Sequence, residues 1–188
     1  GKVNTFLVEQ LQMLGVNALG LSGVDGGLLK AKRKSAIRIV ENGKKKMLRD
    51  DYTGKINAVN ADLLKTLLNA GYIPVVAPMA MSEKGEALNV DADRAAAEVA
   101  AALDADTLLL LTAVPGLMRD FPDESSLIKE IHITGLDKAI EYAQGRMKKK
   151  VLGAQEALNG GVGQVIIADG RVENPISNAL TGNGTVIK

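Results

Sequence analysis

Apolar positions along the chain follow two periods. Phe6, Leu7, Leu11 and Leu14 recur at the spacing of one helical face, so the chain opens in or just before a helix. Residues 16–21 form a short apolar run that ends at Ser22-Gly23 and passes into the glycine-rich stretch Gly23-Val24-Asp25-Gly26-Gly27. That is a buried strand stopped by a turn. Residues 36–40 read as a strand, Asn42-Gly43 as a tight turn and residues 44–48 as the returning strand. Asn60 is placed to cap a helix over 61–70, which Gly71 stops. Residues 73–79 predict a strand with prolines at its edges, and residues 85–88 belong to a second hairpin. An alanine-rich helix over 91–103 precedes a buried strand over 107–114. Thr134, with Asp137 three residues on, predicts a capped helix start. The remaining pattern predicts a helix over 146–158, a strand over 164–168, a short helix over 175–180 and a last strand over 185–187.

Short apolar strands alternating with helices predict an α/β fold. Its sheet is mainly parallel and covered on both faces, a three-layer αβα sandwich with added β-hairpins. No repeat, linker or low-complexity tract interrupts residues 1–188, so a single domain is expected. Ligands in such folds sit at the carboxyl ends of the strands. Here those ends are Ser22-Gly23, Pro78-Met79, Thr112-Ala113 and Asp169-Gly170.

Composition narrows the chemistry. Apolar residues make up 46% and the net charge is +1, values of a chain that buries a core rather than one that stays disordered. There is no cysteine, which excludes disulfides, a thiol nucleophile and thiolate metal ligation. His132 is the one histidine, too few for a histidine-built metal site or a triad, and no resident metal is expected. Aromatics at 3% supply no base-stacking platform, so no nucleic-acid partner is expected. No apolar run has the length of a membrane span and no leader pattern is present, so the expected location is the cytoplasm, away from membranes. The phosphate-binding P-loop, the dinucleotide fingerprint and the nucleophile-elbow motif are all missing.

Charge is unevenly placed. Residues 30–55 hold ten bases, among them Lys32, Arg33, Lys34, Lys44 and Arg49, against three acids. One explanation is a solvated hairpin whose lysines keep an edge strand from pairing with other chains. The other is a docking surface that steers an acidic partner. A second cluster, Gly145-Arg146-Met147-Lys148-Lys149-Lys150, opens a helix whose buried face is marked by Met147, Val151, Ala154 and Leu158. Cations at a helix N-terminus oppose its partial positive charge, so four of them there call for an anion such as a phosphate chain, unless solvent screens them. Lys150 adjoins the buried face and is the one expected to point inward. Asn89-Val90-Asp91-Ala92-Asp93 opens another helix, where acids suit the dipole as simple caps. Asp93 could alternatively orient a lysine, and Asn89 could donate to and accept from a polar substrate.

Residues 88–97, Leu-Asn-Val-Asp-Ala-Asp-Arg-Ala-Ala-Ala, residues 109–117, Leu-Leu-Leu-Thr-Ala-Val-Pro-Gly-Leu, and residues 145–151 together resemble the amino acid kinase superfamily. Gly1-Lys2-Val3-Asn4 and residues 20–26 match its acetylglutamate kinase branch, in order and over essentially the whole chain. Within that branch, residues 31–34, 50–55, 119–124 and 171–175 resemble kinases that act on an amino-group carrier protein in lysine biosynthesis. The resemblance implies ATP-dependent phosphorylation of the distal carboxylate of carrier-bound 2-aminoadipate, with glutamate as a possible second substrate and arginine biosynthesis as its pathway. It implies ATP with Mg²⁺, a small acidic carrier as partner, and a homodimer. By position Lys150 and Asp93 take the catalytic places and Asn89 a substrate-binding one. Thr112, Val114, Gly116, Gly145, Met147 and Lys150 take the ATP-binding places. The basic segment, through Lys32, Arg33, Lys34, Lys44 and Arg49, then has a reason to exist, because it would meet the acidic carrier.

Two departures stand out. Ala113 replaces the Asp or Asn usual in the family. The family also begins with a strand bearing a lysine and paired glycines, and about the first third of the family's length is missing ahead of Gly1. Weak or no activity is therefore expected of these 188 residues alone. An acetylglutamate kinase and a non-catalytic nucleotide-binding fragment are the alternatives.

Overall fold

The computed structural model describes residues 1–41 and 43–188, with the backbone alone for 37–39 and 41. The expected turn at Asn42-Gly43 includes Asn42, which lies outside the described residues. The chain forms two compact units, Gly1–Ala95 and Ala96–Lys188.

The first unit begins with helix α1 (Lys2–Met13) and strand β1 (Ala18–Ser22). Strands β2 (Leu29–Arg33), β3 (Ala36–Glu41), β4 (Lys44–Arg49) and β5 (Gly54–Val59) follow. Helix α2 (Ala61–Asn69), β6 (Ile73–Ala77), β7 (Met79–Met81) and β8 (Ala87–Asn89) complete it. β1 and β6 pair in parallel. Asn4 Nδ2 on α1 donates to the Val75 carbonyl at 2.7 Å and ties the helix to that pair. The second sheet runs β5-β2-β7-β8. In β2, Leu29 and Ala31 are buried while Lys30 and Lys32 face solvent, the period-two alternation of a half-buried strand. Gly23 lies where a Cβ would overlap the Met79 carbonyl, so the turn after β1 tolerates only glycine. β3 and β4 pair with each other alone, and every residue of β4 is exposed.

The boundary between the units falls inside α3 (Ala92–Ala102). The second unit holds β9 (Thr107–Thr112), β10 (Glu130–Ile131), α4 (Leu136–Tyr142), α5 (Gly145–Asn159), β11 (Gln164–Asp169), α6 (Pro175–Leu180) and β12 (Thr185–Ile187). Its sheet runs β10-β12-β11-β9, with β11 parallel to β9 and antiparallel to β12. Alternation along β11 divides the packing into two layers. Val165 and Ile167 join a core with Leu136 of α4 and Val151, Ala154 and Ala157 of α5. Ile166 and Ala168 face the other way and pack with Ala179 of α6. Both faces of this sheet are therefore covered by helices, as the pattern predicted.

Most predicted elements are present within two residues of their expected ends. Three features differ. The run over 73–79 is two strands, because Pro78 has no N–H for a ladder and breaks the strand between β6 and β7. β2, most of which falls in the basic segment, β5, which straddles its end, and the two-residue β10 were not predicted. The helix expected to start at Thr134 is preceded by a 3₁₀ turn over 133–135, whose cap is the His132 side chain accepting from the Thr134 N–H at 3.4 Å. No helix among the described residues is long and apolar enough to cross a membrane.

Candidate functional site

β9 is a run of leucines that ends at Thr112, where the sheet's carboxyl edge opens. The loop that follows is fixed by Thr185, a fully buried hydroxyl. Its oxygen accepts from the Leu117 N–H at 2.8 Å and its proton goes to the Ile128 carbonyl at 2.7 Å. Gly116 is required beside it, since a Cβ would press on that hydroxyl at 2.5 Å. Across from this loop, α4 ends at Tyr142 and the chain re-enters helix at Gly145, with φ of +53°.

The two segments enclose a cavity of about 400 Å³. Thr112, Val114, Gly116, Gly145 and Met147 all line it, so five residues nominated from two distant stretches of sequence converge. Phe121, Tyr142, Gln144 and Arg146 line it as well. Arg146 carried a sequence signal as part of the basic cluster, and Phe121 as part of the 119–124 motif. Tyr142 carried none, because nothing in a 3.6 or 2.0 period marks a ring that lines a cavity.

α5 presents no acid in its first turn. Arg146, Lys148 and Lys149 are exposed, whereas Lys150 is half-buried, as its place beside Val151 predicted. Gly145, Arg146 and Met147 of this first turn line the cavity, whereas Lys150, nominated with them, is not among its lining residues; a helix N-terminus with a cation beside it favours an anion. Val151 and Ala154 are fully buried and Met147 and Leu158 partly so, which holds the helix to the core by this face, with Met147 reaching both core and cavity.

A second cavity of about 320 Å³ lies in the same unit, lined in part by Lys129, Asp169, Asn178 and Asn183. Asp169 ends β11, in register with Thr112. Arg171 grips its carboxylate with Nε at 2.9 Å and Nη2 at 2.7 Å. Hydrogen bonds from the Arg171 side chain and backbone bring the Asp169 carboxyl down to about 2, and the same contact raises the Arg171 guanidinium.

In the first unit, Asn89 ends β8 and is exposed, with its N–H bonded to the Tyr52 carbonyl at 2.7 Å. Asp91 caps α3: its Oδ1 accepts from the Arg94 N–H at 3.3 Å and its carbonyl from Ala95. Asp93 follows in the first turn of the same helix, half-buried. The simple capping role therefore falls to Asp91 rather than Asp93. Of the basic segment, Lys32, Lys34, Lys44 and Arg49 are exposed. Arg33 is not a surface charge of that kind: it is half-buried and bonded to Glu86 at 2.8 Å.

The family model of the amino acid kinases matches residues 1–169. The chain is 58% identical over 187 residues to a LysW-aminoadipate kinase of Deinococcus radiodurans, covering all of this chain and 64% of that protein. It is 52% identical over 190 residues to a LysW-aminoadipate kinase of Thermus thermophilus, covering 71% of that protein. The chain thus spans about two thirds of the length of these relatives. Among solved structures, the carbamate kinase of Giardia lamblia bound to AMP-PNP superposes with a TM-score of 0.71 at 19% identity, over 100% of this chain and 72% of that one. That likeness concerns the fold.

Proposed function

The chain belongs to the amino acid kinase family, and on that premise we propose that it carries the nucleotide-binding and partner-docking parts of a kinase acting on 2-aminoadipate held by a small acidic carrier protein. The two compact units are read together as one kinase domain, and the enzyme as a homodimer of the cytoplasm. The observation that carries this reading is the convergence of Thr112, Val114, Gly116, Gly145 and Met147 on one cavity at the basic N-terminus of α5.

The distal carboxylate of the substrate is already ionised at neutral pH and needs no general base. One of its oxygens attacks the γ-phosphorus of ATP, the bond to the β-phosphate oxygen breaks, and an acyl phosphate and ADP result. What the protein supplies is position and cationic charge. Lys150 is assigned the stabilisation of the transferring phosphoryl group, Asp93 the ordering of the catalytic cations, and Asn89 the amino-acid end of the substrate. Among the described residues no three His, Asp or Glu groups converge on a metal position. We assign magnesium to the nucleotide, as its counter-ion. Lys32, Lys34, Lys44 and Arg49 are assigned to the carrier, and two relatives whose names include LysW support that partner.

ATP binding and phosphoryl transfer measured side by side test the reading. The expected result is ATP binding with at most weak transfer, and that to carrier-linked aminoadipate rather than to free N-acetylglutamate. Transfer to N-acetylglutamate instead refutes the carrier, and ATP binding with no transfer to either points to a nucleotide-binding module. Carrier affinity is expected to fall steeply with added salt, because exposed charges separated by more than about 10 Å are screened at 0.1 M.

A further inference from the structure

Three consecutive carbonyls, at Asp51, Tyr52 and Thr53, are each taken by a donor from elsewhere in the first unit. Arg33 Nε donates to Asp51 at 2.9 Å. The Asn89 N–H donates to Tyr52 at 2.7 Å and the Lys34 N–H to Thr53 at 2.9 Å. The same guanidinium lies 4.1 Å above the Tyr52 ring and donates through Nη1 to Glu86 at 2.8 Å. The other Glu86 oxygen accepts from the Ser82 hydroxyl at 3.1 Å. One half-buried cation therefore binds the end of β2, the segment 51–53 and the turn between β7 and β8.

This segment is also the root of the β3–β4 arm. The arm leaves after Lys34 and returns at Asp50, which turns the chain with a φ of +61°. Among the described residues the arm's strands pair only with each other. A force on the arm reaches the rest of the unit through its root, and the root touches β8 at Asn89. A planar guanidinium can meet a carbonyl, a carboxylate and a ring at once, whereas a lysine ammonium cannot.

We propose that Arg33 is a positioning residue that locks the Asp51–Thr53 root to Asn89, so that partner docking on the β3–β4 arm and placement of substrate at Asn89 are coupled. The role of Asn89 here rests on the function proposed above.

Hydrogen exchange on the unliganded chain and its Arg33→Lys variant tests the lock. R33K keeps the charge and loses the shared geometry. The Asn89 and Lys34 amides are expected to exchange about tenfold faster, as in a local opening. The Gly23 amide, bonded to the Ala77 carbonyl at 3.0 Å in the same unit, is expected to stay unchanged. Tyr52→Leu is expected to give a smaller rise at the same two amides. No change at Asn89 in both variants, or a rise that includes Gly23, overturns the lock. Binding tests the coupling: the parent chain is expected to hold the carrier loaded with aminoadipate more tightly than the bare carrier. R33K is expected to keep the bare-carrier affinity and lose the increment, and an increment retained in R33K overturns the coupling. If the parent chain binds neither form, the carrier reading falls, and the exchange experiment still decides the lock.

Discussion

Thr185 and Lys150 show how differently single residues act in this chain. Thr185 is wholly buried with both its donor and its acceptor used, and removing the hydroxyl strands the Leu117 N–H and the Ile128 carbonyl together. Thr185→Val is expected to cost about 1–3 kcal/mol, the range for leaving buried polar groups unsatisfied, read as a lower urea midpoint at constant slope. Lys150→Ala is expected to leave that midpoint nearly unchanged, since the fixed face of α5 is Val151 and Ala154. Its expected effect is a drop in phosphoryl transfer of about 10²–10³, the scale of losing one group that stabilises developing charge. Asp169 belongs to a third kind. Its carboxyl falls from an ordinary 3.8 to about 2, so the ionised form favours the fold. The contribution is complete above the ordinary value and is lost as the pH falls from about 3.8 toward about 2. Asp169→Asn is therefore expected to lower Tm slightly at neutral pH and to match the parent at the acid end of that window. A gap that widens toward low pH contradicts the assignment.

At the level of elements, α5 was legible because it buries a continuous stripe, and the leucine-rich strand because Leu108 and Leu110 bury one face while Leu109 packs on the other. Val151 and Ala154 fall where their spacing places them, and Asn60 caps α2 as its position implied, accepting from the Leu63 N–H at 3.3 Å. β2 and β5 were missed for a physical reason. Leu29 and Ala31 alternate with Lys30 and Lys32, and the third inward position is the cation Arg33, so only two apolar side chains mark the inward face of β2 and bases dominate its composition. Arg33 misled in the same way: a cation in a run of cations reads as surface charge, and its carboxylate partner at Glu86 is 53 residues away. Packing tests the elements directly. Leu136 is fully buried at the head of α4, and Leu136→Ala is expected to cost about 2–5 kcal/mol in denaturant unfolding. Charge reversal at Lys32, Lys34 and Lys44 is expected to weaken carrier binding and leave ATP affinity as it was. A parallel loss of ATP affinity contradicts a separate docking surface.

For the molecule as a whole, the family followed from motifs spread along the chain, and the α/β plan followed from period alone. The cavity wall was only half legible. Its backbone turns were marked by glycines, but Tyr142 reaches it from the last residue of α4 and Phe121 from a loop, and no local period shows that the two meet there. The β3–β4 hairpin adds a consequence of its own. Among the described residues its strands pair only with each other, and Lys44, Lys45, Lys46 and Arg49 are exposed along β4. Such an appendage can lengthen, shorten or exchange its charges without repacking a core. Recognition of a macromolecule can then drift across generations while the chemistry it serves stays fixed, and an engineer could retarget the protein by grafting a different ribbon between Lys34 and Asp51.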